Sequence, residues 1–348
     1  MEYLIPDNYY RDDLDNREVM VSIHCIAYNQ GKYIKETLDG FIAQKTNFRF
    51  EAIVHDDAST DNTADIIREY AEKYPSIIKP IFETENQYSK RDGSLSKIMF
   101  NHIRGKYVAY CEGDDYWIDP LKLQKQVDFL EKNPDFGLVC SDHETYIQQE
   151  KYFIKKSKFG VLTIQNINQL IVRNCVTTLT VCIRKNILLD YSREFNELCQ
   201  GWACGDYPIW LYTSTKYKIY RSEDIMGVYR KLSESASHSK DFKRLIKWAK
   251  SEFNILTCFI KKYNIPKEII NKSYYFRIIE NGYIFALANE KEYLKIVYKY
   301  LLNNHQYIPW IILKLMTHNS HLSQFLRRAE LSYYRRRPKY KFIWTPSN

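Results

Sequence analysis

The chain has 348 residues, 45% hydrophobic and 27% charged, which is ordinary globular usage and excludes wholesale disorder. Only 11 Gly and 10 Pro exclude collagen-like and low-complexity chains. The net charge of +9 is uneven, because residues 241–348 carry 20 Lys and Arg against 7 Asp and Glu and the rest of the chain is mildly acidic.

The first 140 residues read as strands alternating with helices. Residues 18–28 (EVMVSIHCIAY) form a β-rich run. Residues 31–44 follow at helical spacing, with Ile34, Leu38, Phe41 and Ile42 on one face. A strand is predicted at 48–55, then a helix capped by Ser59 or Thr60 that turns Ile66, Ile67 and Tyr70 inward. Strands at 77–82 and 106–111 bracket a helix over 94–103. Asp119 and Pro120 read as the N-cap and first residue of a helix through Leu123, Val127 and Leu130. A fifth strand follows at 136–140. This alternation predicts a parallel, doubly wound α/β sheet with helices on both faces. Further on, 177–184 (TTLTVCIR) reads as a strand, 206–215 as a short helix and 218–229 as a strand pair. From 241 the pattern is helical and basic. Two units are therefore expected, 1–240 (with halves at about 18–142 and 143–240) and 241–348.

The eight cysteines show no CxxC spacing, and several lie in apolar runs, so reduced, buried thiols are expected. The opening residues do not read as a basic-then-apolar leader, and the longest apolar run, 307–316, is too short to span a bilayer. Together these predict a cytoplasmic location.

Ligands of open α/β sheets bind outside the carboxyl ends of the strands. Three such ends are notable here. They carry Ala27, Tyr28 and Asn29; Asp56, Asp57, Ser59 and Thr60; and Glu112, Gly113, Asp114 and Asp115. Crowded carboxylates repel unless a cation neutralises them, and hard oxygen ligands suit Mg²⁺ or Mn²⁺ bridging to substrate phosphates. Taken singly, Asp-Asp-x-Ser also reads as a helix cap and Glu-Gly-Asp-Asp as a turn. No GxGxxG or GxxxxGK[ST] occurs, which disfavours a dinucleotide fold or a P-loop.

The order of these pieces resembles the inverting glycosyltransferases of family 2, of bacterial cell-surface polysaccharide type, with the GT-A fold. The resemblance covers roughly 18–235 and rests on 21–40 (VSIHCIAYNQGKYIKETLDG), 52–63 (AIVHDDASTDNT) and 105–126 (GKYVAYCEGDDYWIDPLKLQKQ). It implies transfer of a sugar from a nucleotide-diphosphate sugar, by default a UDP-sugar, to a saccharide or lipid-linked saccharide, assisted by Mn²⁺ or Mg²⁺. Ala27, Tyr28 and Asn29 would line the nucleotide pocket, and Asp57 with Asp56 would meet the base. Glu112, Gly113 and Asp114 would hold the nucleotide sugar, with Glu112 toward ribose. Asp114 and Asp115 would hold the metal, completed by His238. Lys97 stands where relatives carry an Arg-Asn pair. Asp206 would be the base that takes the proton of the acceptor hydroxyl, and Arg230 would contact diphosphate. Trp117 and Trp202 could stack on acceptor sugars or fill the core.

Residues 325–341 interleave seven Arg and Lys with tyrosines beside an apolar segment, a pattern that suits an anionic membrane face. Peripheral membrane contact through 300–348 is therefore expected, with a helical lid over the acceptor site as the alternative. No nucleic-acid partner is expected. Two other functions stay open on sequence, a sugar-nucleotide pyrophosphorylase and a non-catalytic GT-A-fold scaffold.

Overall fold

A computed structural model describes residues 17–154, 162–195, 202–232, 242–288 and 290–303, with Ile311, Leu313 and Lys314 beyond them. The expected alternation is present. In chain order come β1 (Val19–Ala27), α1 (Ile34–Ile42), β2 (Arg49–Asp56), α2 (Thr63–Lys73), β3 (Ile78–Phe82), α3 (Gln87–Lys90), α4 (Ser94–His102) and β4 (Tyr107–Tyr110). Then follow β5 (Tyr116–Trp117), α5 (Lys122–Lys132), β6 (Phe136–Ile147), β7 (Tyr152–Ile154), β8 (Leu162–Ile164) and α6 (Ile167–Leu170). A 3₁₀ turn (Thr178–Thr180) leads into β9 (Cys182–Arg184), α7 (Lys185–Phe195), α8 (Tyr207–Lys216) and β10 (Lys218–Lys231). Three long helices, α9 (Phe242–Lys262), α10 (Lys267–Leu287) and α11 (Lys291–Asn303), follow.

The sheet order is β3-β2-β1-β4-β9-β6-β10-β5. It is parallel from β3 to β4 and mixed beyond. β9 enters antiparallel between β4 and β6, while β6 and β10 run parallel. The expected strand at 177–184 is thus half 3₁₀ turn and half a three-residue strand. The expected strand pair at 218–229 is one 14-residue strand with irregular register against β6. Helix starts also moved. The Ser59 N–H binds Asp56 and α2 begins at Thr63. Asp119 accepts the Leu121 N–H and α5 begins at Lys122.

Each face of the sheet has its own core. On one, Val21, Ile23, Cys25 and Ala27 of β1 pack against Leu38 and Phe41 of α1, Ile67 of α2 and Leu123 and Leu130 of α5. On the other, Ile53, Val108 and Tyr110 meet Met99, Trp210 and Tyr212, and with them Ile255, Leu256 and Phe259 of α9. Phe259 stacks on Phe195 at 5.0 Å. The boundary expected at 240 is therefore no break in the core: α9 closes it, each buried large apolar side chain contributing about 1.5–3 kcal/mol. A third cluster, including Phe253, Phe285, Val297 and Leu301, joins α9, α10 and α11. Among the described residues the cysteines are free thiols, five of them buried, and no helix is long and apolar enough to cross a membrane.

Lys122 is fully buried beneath the acidic loop. Its Nζ donates to Gln126 Oε1 at 2.7 Å and lies 4.2 Å from the Trp117 ring centre. Burial pushes its pKa down to about 8. Below pH 8 the folded protein thus carries a desolvated charge that the unfolded chain keeps hydrated. That destabilisation fades as pH rises from about 8 to the ordinary 10.5. Lys122→Met should therefore raise stability at pH 7 by about 1 kcal/mol net, after loss of the Gln126 and Trp117 contacts. The gain should shrink toward pH 10. Denaturant melts at both pH values check this, and a variant less stable than the parent at pH 7 contradicts it.

Candidate active site

The loops at the carboxyl ends of β1 and β2 are stitched together. Asn29 and Ala58 sit in the left-handed region, at φ 53° and 61°. The Asn29 N–H donates to Ser59 Oγ, and Asn29 Oδ1 accepts the Thr60 N–H at 2.8 Å. The Gln30 N–H binds Thr63 Oγ1, and the Gly31 N–H binds Asp61 Oδ2. The Asn29 side chain thus holds the loop. Tyr28, 46% exposed, leaves a ring face open at the rim. Ala27 is fully buried, and its carbonyl accepts the Asp57 N–H.

The two aspartates after β2 are used differently. Asp57 is buried, and its two oxygens accept the backbone N–H groups of Gln87, at 2.6 Å, and Tyr88, at 3.0 Å, fixing the start of α3. Asp56 Oδ2 accepts the Ser59 N–H, while its Oδ1 is buried without a partner. The unspent acceptor of the pair is thus on Asp56, whereas the resemblance puts Asp57 first. Lys97 is exposed on α4.

The loop after β4 continues to pair with β1: the Cys111 N–H binds the His24 carbonyl and the Gly113 N–H the Ile26 carbonyl. Gly113 packs closely here. A Cβ there would lie 2.3 Å from Gln30 Oε1 and 3.0 Å from the Ala27 methyl. The buried Thr37 hydroxyl lies 3.0 and 2.7 Å from the Gly113 and Asp115 carbonyls, locking the turn from α1. Carboxylate oxygens of Glu112, Asp114 and Asp115 consequently come within 4.8 Å of one another. Glu112 is exposed. Even so, the dense protein around its carboxyl group, then Asp114, then Asp206 push its pKa up to about 8. Burial raises Asp114, and burial followed by Asp114 and Glu112 raises Asp115. Three strained carboxyl groups at this spacing are a donor set that fits a hard divalent cation.

Arg230 is built into the acidic loop. Its side chain is buried, with the guanidinium 5.0, 5.1 and 5.9 Å from the ring centres of Tyr33, Tyr116 and Tyr146. Nε donates to the Asp114 carbonyl at 2.8 Å and Nη1 to Gln148 Oε1 at 2.7 Å, while Nη2 pairs with Glu36. Its backbone N–H donates to Asp115 Oδ1 at 2.7 Å. A guanidinium walled by rings and spent on three acceptors braces the acidic loop.

Asp206 is the N-cap of α8, half-buried, with Pro208 in the first turn. Its Oδ1 accepts the Tyr207 N–H at 2.6 Å and the Cys204 thiol at 3.0 Å, and Oδ2 accepts the Thr178 hydroxyl. It lies near enough to the Glu112 carboxyl and the Tyr110 phenol to help raise both. Thr178 was missed from sequence because its segment reads as a strand. Trp117, 3% exposed, packs edge-on against Phe41 and donates Nε1–H to the Leu179 carbonyl. It is core, not a sugar platform. Trp202 packs at the margin of the second core. His238 and nearly all of 300–348 lie outside the described residues.

A Mycobacterium tuberculosis protein of uncharacterised function is 36% identical over 222 residues, 63% of this chain and 61% of the relative. The chain thus spans about three-fifths of the length of that relative. WfaP of Escherichia coli, a UDP-Glc:α-D-GlcNAc-diphosphoundecaprenol β-1,3-glucosyltransferase, is 26% identical over 228 residues, 66% of this chain and 83% of WfaP. The structure of Staphylococcus aureus TarS 1–349 with UDP-GlcNAc superposes with a TM-score of 0.53 at 18% identity, over 91% of this chain and 92% of TarS 1–349. The fold is accordingly that of the GT-A glycosyltransferases. Residues 22–190, just under half of the chain, match the pattern of Glycosyl transferase family 2, and this segment is similar to that family.

Proposed function

We propose that this protein is an inverting glycosyltransferase that moves a sugar from a nucleotide-diphosphate sugar, a UDP-sugar first among them, to a lipid-linked saccharide in surface polysaccharide synthesis. One observation carries the reading. Glu112, Asp114 and Asp115 converge within 4.8 Å, and a fourth carboxylate, Asp206, lies near enough to help raise Glu112. The match of residues 22–190 to Glycosyl transferase family 2 supports the reaction class. The donor and acceptor printed in the name of WfaP support the substrates.

Glu112, Asp114 and Asp115 would hold Mn²⁺ or Mg²⁺. When bound, such an ion supplies positive charge to the leaving nucleoside diphosphate. Tyr28 offers its exposed ring, and Asp56 its unspent oxygen, to the nucleotide. Asp206 accepts the proton of the acceptor hydroxyl as that oxygen attacks the anomeric carbon. Thr178, Cys204 and the Tyr207 N–H hold its carboxylate in one orientation. Aligning both substrates supplies much of the acceleration, and a single displacement inverts the anomer. The basic, aromatic run at 325–341 supports an acceptor presented at the inner face of an anionic membrane.

The test is transfer from UDP-glucose with Mn²⁺ to a synthetic GlcNAc-diphospho-lipid, with the linkage read by NMR. A β-linked product from the α-linked donor is expected. An α-linked product overturns the single displacement. No transfer and no nucleotide release from UDP-, GDP- or dTDP-sugars overturns the enzyme reading.

A further inference from the structure

The loop that carries Asp206 is held from outside the sheet. Ser251 of α9, buried, accepts the Ala203 N–H at 2.8 Å and the Cys204 N–H at 3.5 Å. This fixes the backbone of Cys204, whose thiol binds Asp206. On the other flank, Arg277 of α10 is 4% exposed. Its Nη2 donates to the Tyr207 hydroxyl at 2.8 Å and its Nη1 to the Val172 carbonyl at 3.0 Å. The Tyr207 hydroxyl in turn donates to the Leu170 carbonyl at 3.2 Å, and its ring is buried. Asp206 therefore sits between two neighbours, Cys204 and Tyr207, each tied to a different C-terminal helix. Neither Ser251 nor Arg277 touches Asp206 itself.

A buried arginine is costly to place. Here it reaches the residue after Asp206 and the carbonyls beneath it. A layer that served only as a lid could cover this face with apolar side chains, as its contacts with the second core do.

We propose that Ser251 and Arg277 are positioning residues for the Asp206 carboxylate, which makes the C-terminal helical layer part of the transfer site. The proposal rests on Asp206 being the base. A carboxylate displaced by a fraction of an ångström still binds nothing less well, because the donor is held elsewhere. It loses its alignment with the acceptor hydroxyl, and rate falls while donor affinity stays.

The experiment uses full-length protein carrying Ser251→Ala, Ser251→Thr or Arg277→Met, with UDP-glucose, Mn²⁺ and the synthetic GlcNAc-diphospho-lipid as probes and UDP release as readout. Donor affinity is measured in parallel by calorimetry with UDP and Mn²⁺. In Ser251→Ala and Arg277→Met, kcat should fall about tenfold to a hundredfold with KM and UDP affinity within about twofold of the parent. Ser251→Thr keeps an oxygen in place and should restore most of the rate. If Arg277→Met does not fold, Tyr207→Phe removes the hydroxyl it holds and carries the same expectation. An unchanged kcat in Ser251→Ala, or a parallel fall in UDP affinity, overturns the positioning role. If the parent is active and Asp206→Asn is not, that failure belongs to this inference alone. A parent that releases no UDP from any nucleotide sugar overturns the reading of Asp206 and this inference with it.

Discussion

Asp206→Asn is expected to lower kcat by about 10²–10⁴-fold, the usual contribution of a positioned general base, and to leave nucleotide binding unchanged. The substitution separates two jobs of one side chain. As an N-cap, Asn serves as well as Asp, and its carbonyl oxygen can still accept from Thr178 or from the Tyr207 N–H, so α8 should start at the same place. As a base, Asn fails, because an amide does not take up the hydroxyl proton. A pure helix cap would therefore show full activity in Asp206→Asn and a loss only in Asp206→Ala, where about 1 kcal/mol of capping is removed. Steady-state kinetics with UDP-glucose, beside thermal melts of both variants, distinguish these. A kcat within about threefold of the parent in Asp206→Asn would remove the base from the proposed mechanism.

The parallel half of the fold was readable because its signals are local. β1 and β2 are short β-rich runs, and α1, α2 and α5 show one apolar face each. The acidic rim was readable for the same reason, since Glu112, Asp114 and Asp115 are neighbours in sequence. What failed to read is non-local. Whether 177–184 runs parallel or antiparallel depends on its partners β4 and β6, and nothing within TTLTVCIR encodes that choice. Thr178 becomes a partner of Asp206 only when a 3₁₀ turn brings it across 28 residues. The packing of Arg230 is equally non-local, since Glu36 lies 194 residues away in sequence and the rings around the guanidinium belong to Tyr33, Tyr116 and Tyr146. Ser251 and Arg277 carried no motif at all. Their role exists only in the packing of α9 and α10 beneath the loop that carries Asp206.

The second large effect concerns the acidic loop. In Asp114→Ala, Mn²⁺-dependent UDP binding should fall below detection by calorimetry, whereas EDTA-treated parent and variant should behave alike. The pH dependence follows from the shifts. Glu112 titrates near 8 in the folded chain against an ordinary 4.5, and Asp115 is raised as well. An acid raised on folding favours the folded state at low pH and opposes it as pH climbs from about 4.5 to about 8. Cation-free protein should thus lose thermal stability across that window. Cation binding must displace protons from the cluster, so Mn²⁺ affinity should rise between pH 6 and pH 8, with about one proton released per ion at pH 7. Titration in two buffers of different ionisation enthalpy counts that proton. Asp114 ranks next after burial among the causes that raise Glu112, so removing it should relax Glu112 toward its ordinary value. Asp114→Ala without cation should then melt higher than the parent at pH 8, although it no longer binds nucleotide. That pairing, stability gained and binding lost, is what a cluster held together for a cation predicts. A variant that loses both has merely misfolded. One that keeps Mn²⁺-dependent binding moves the cation away from this loop.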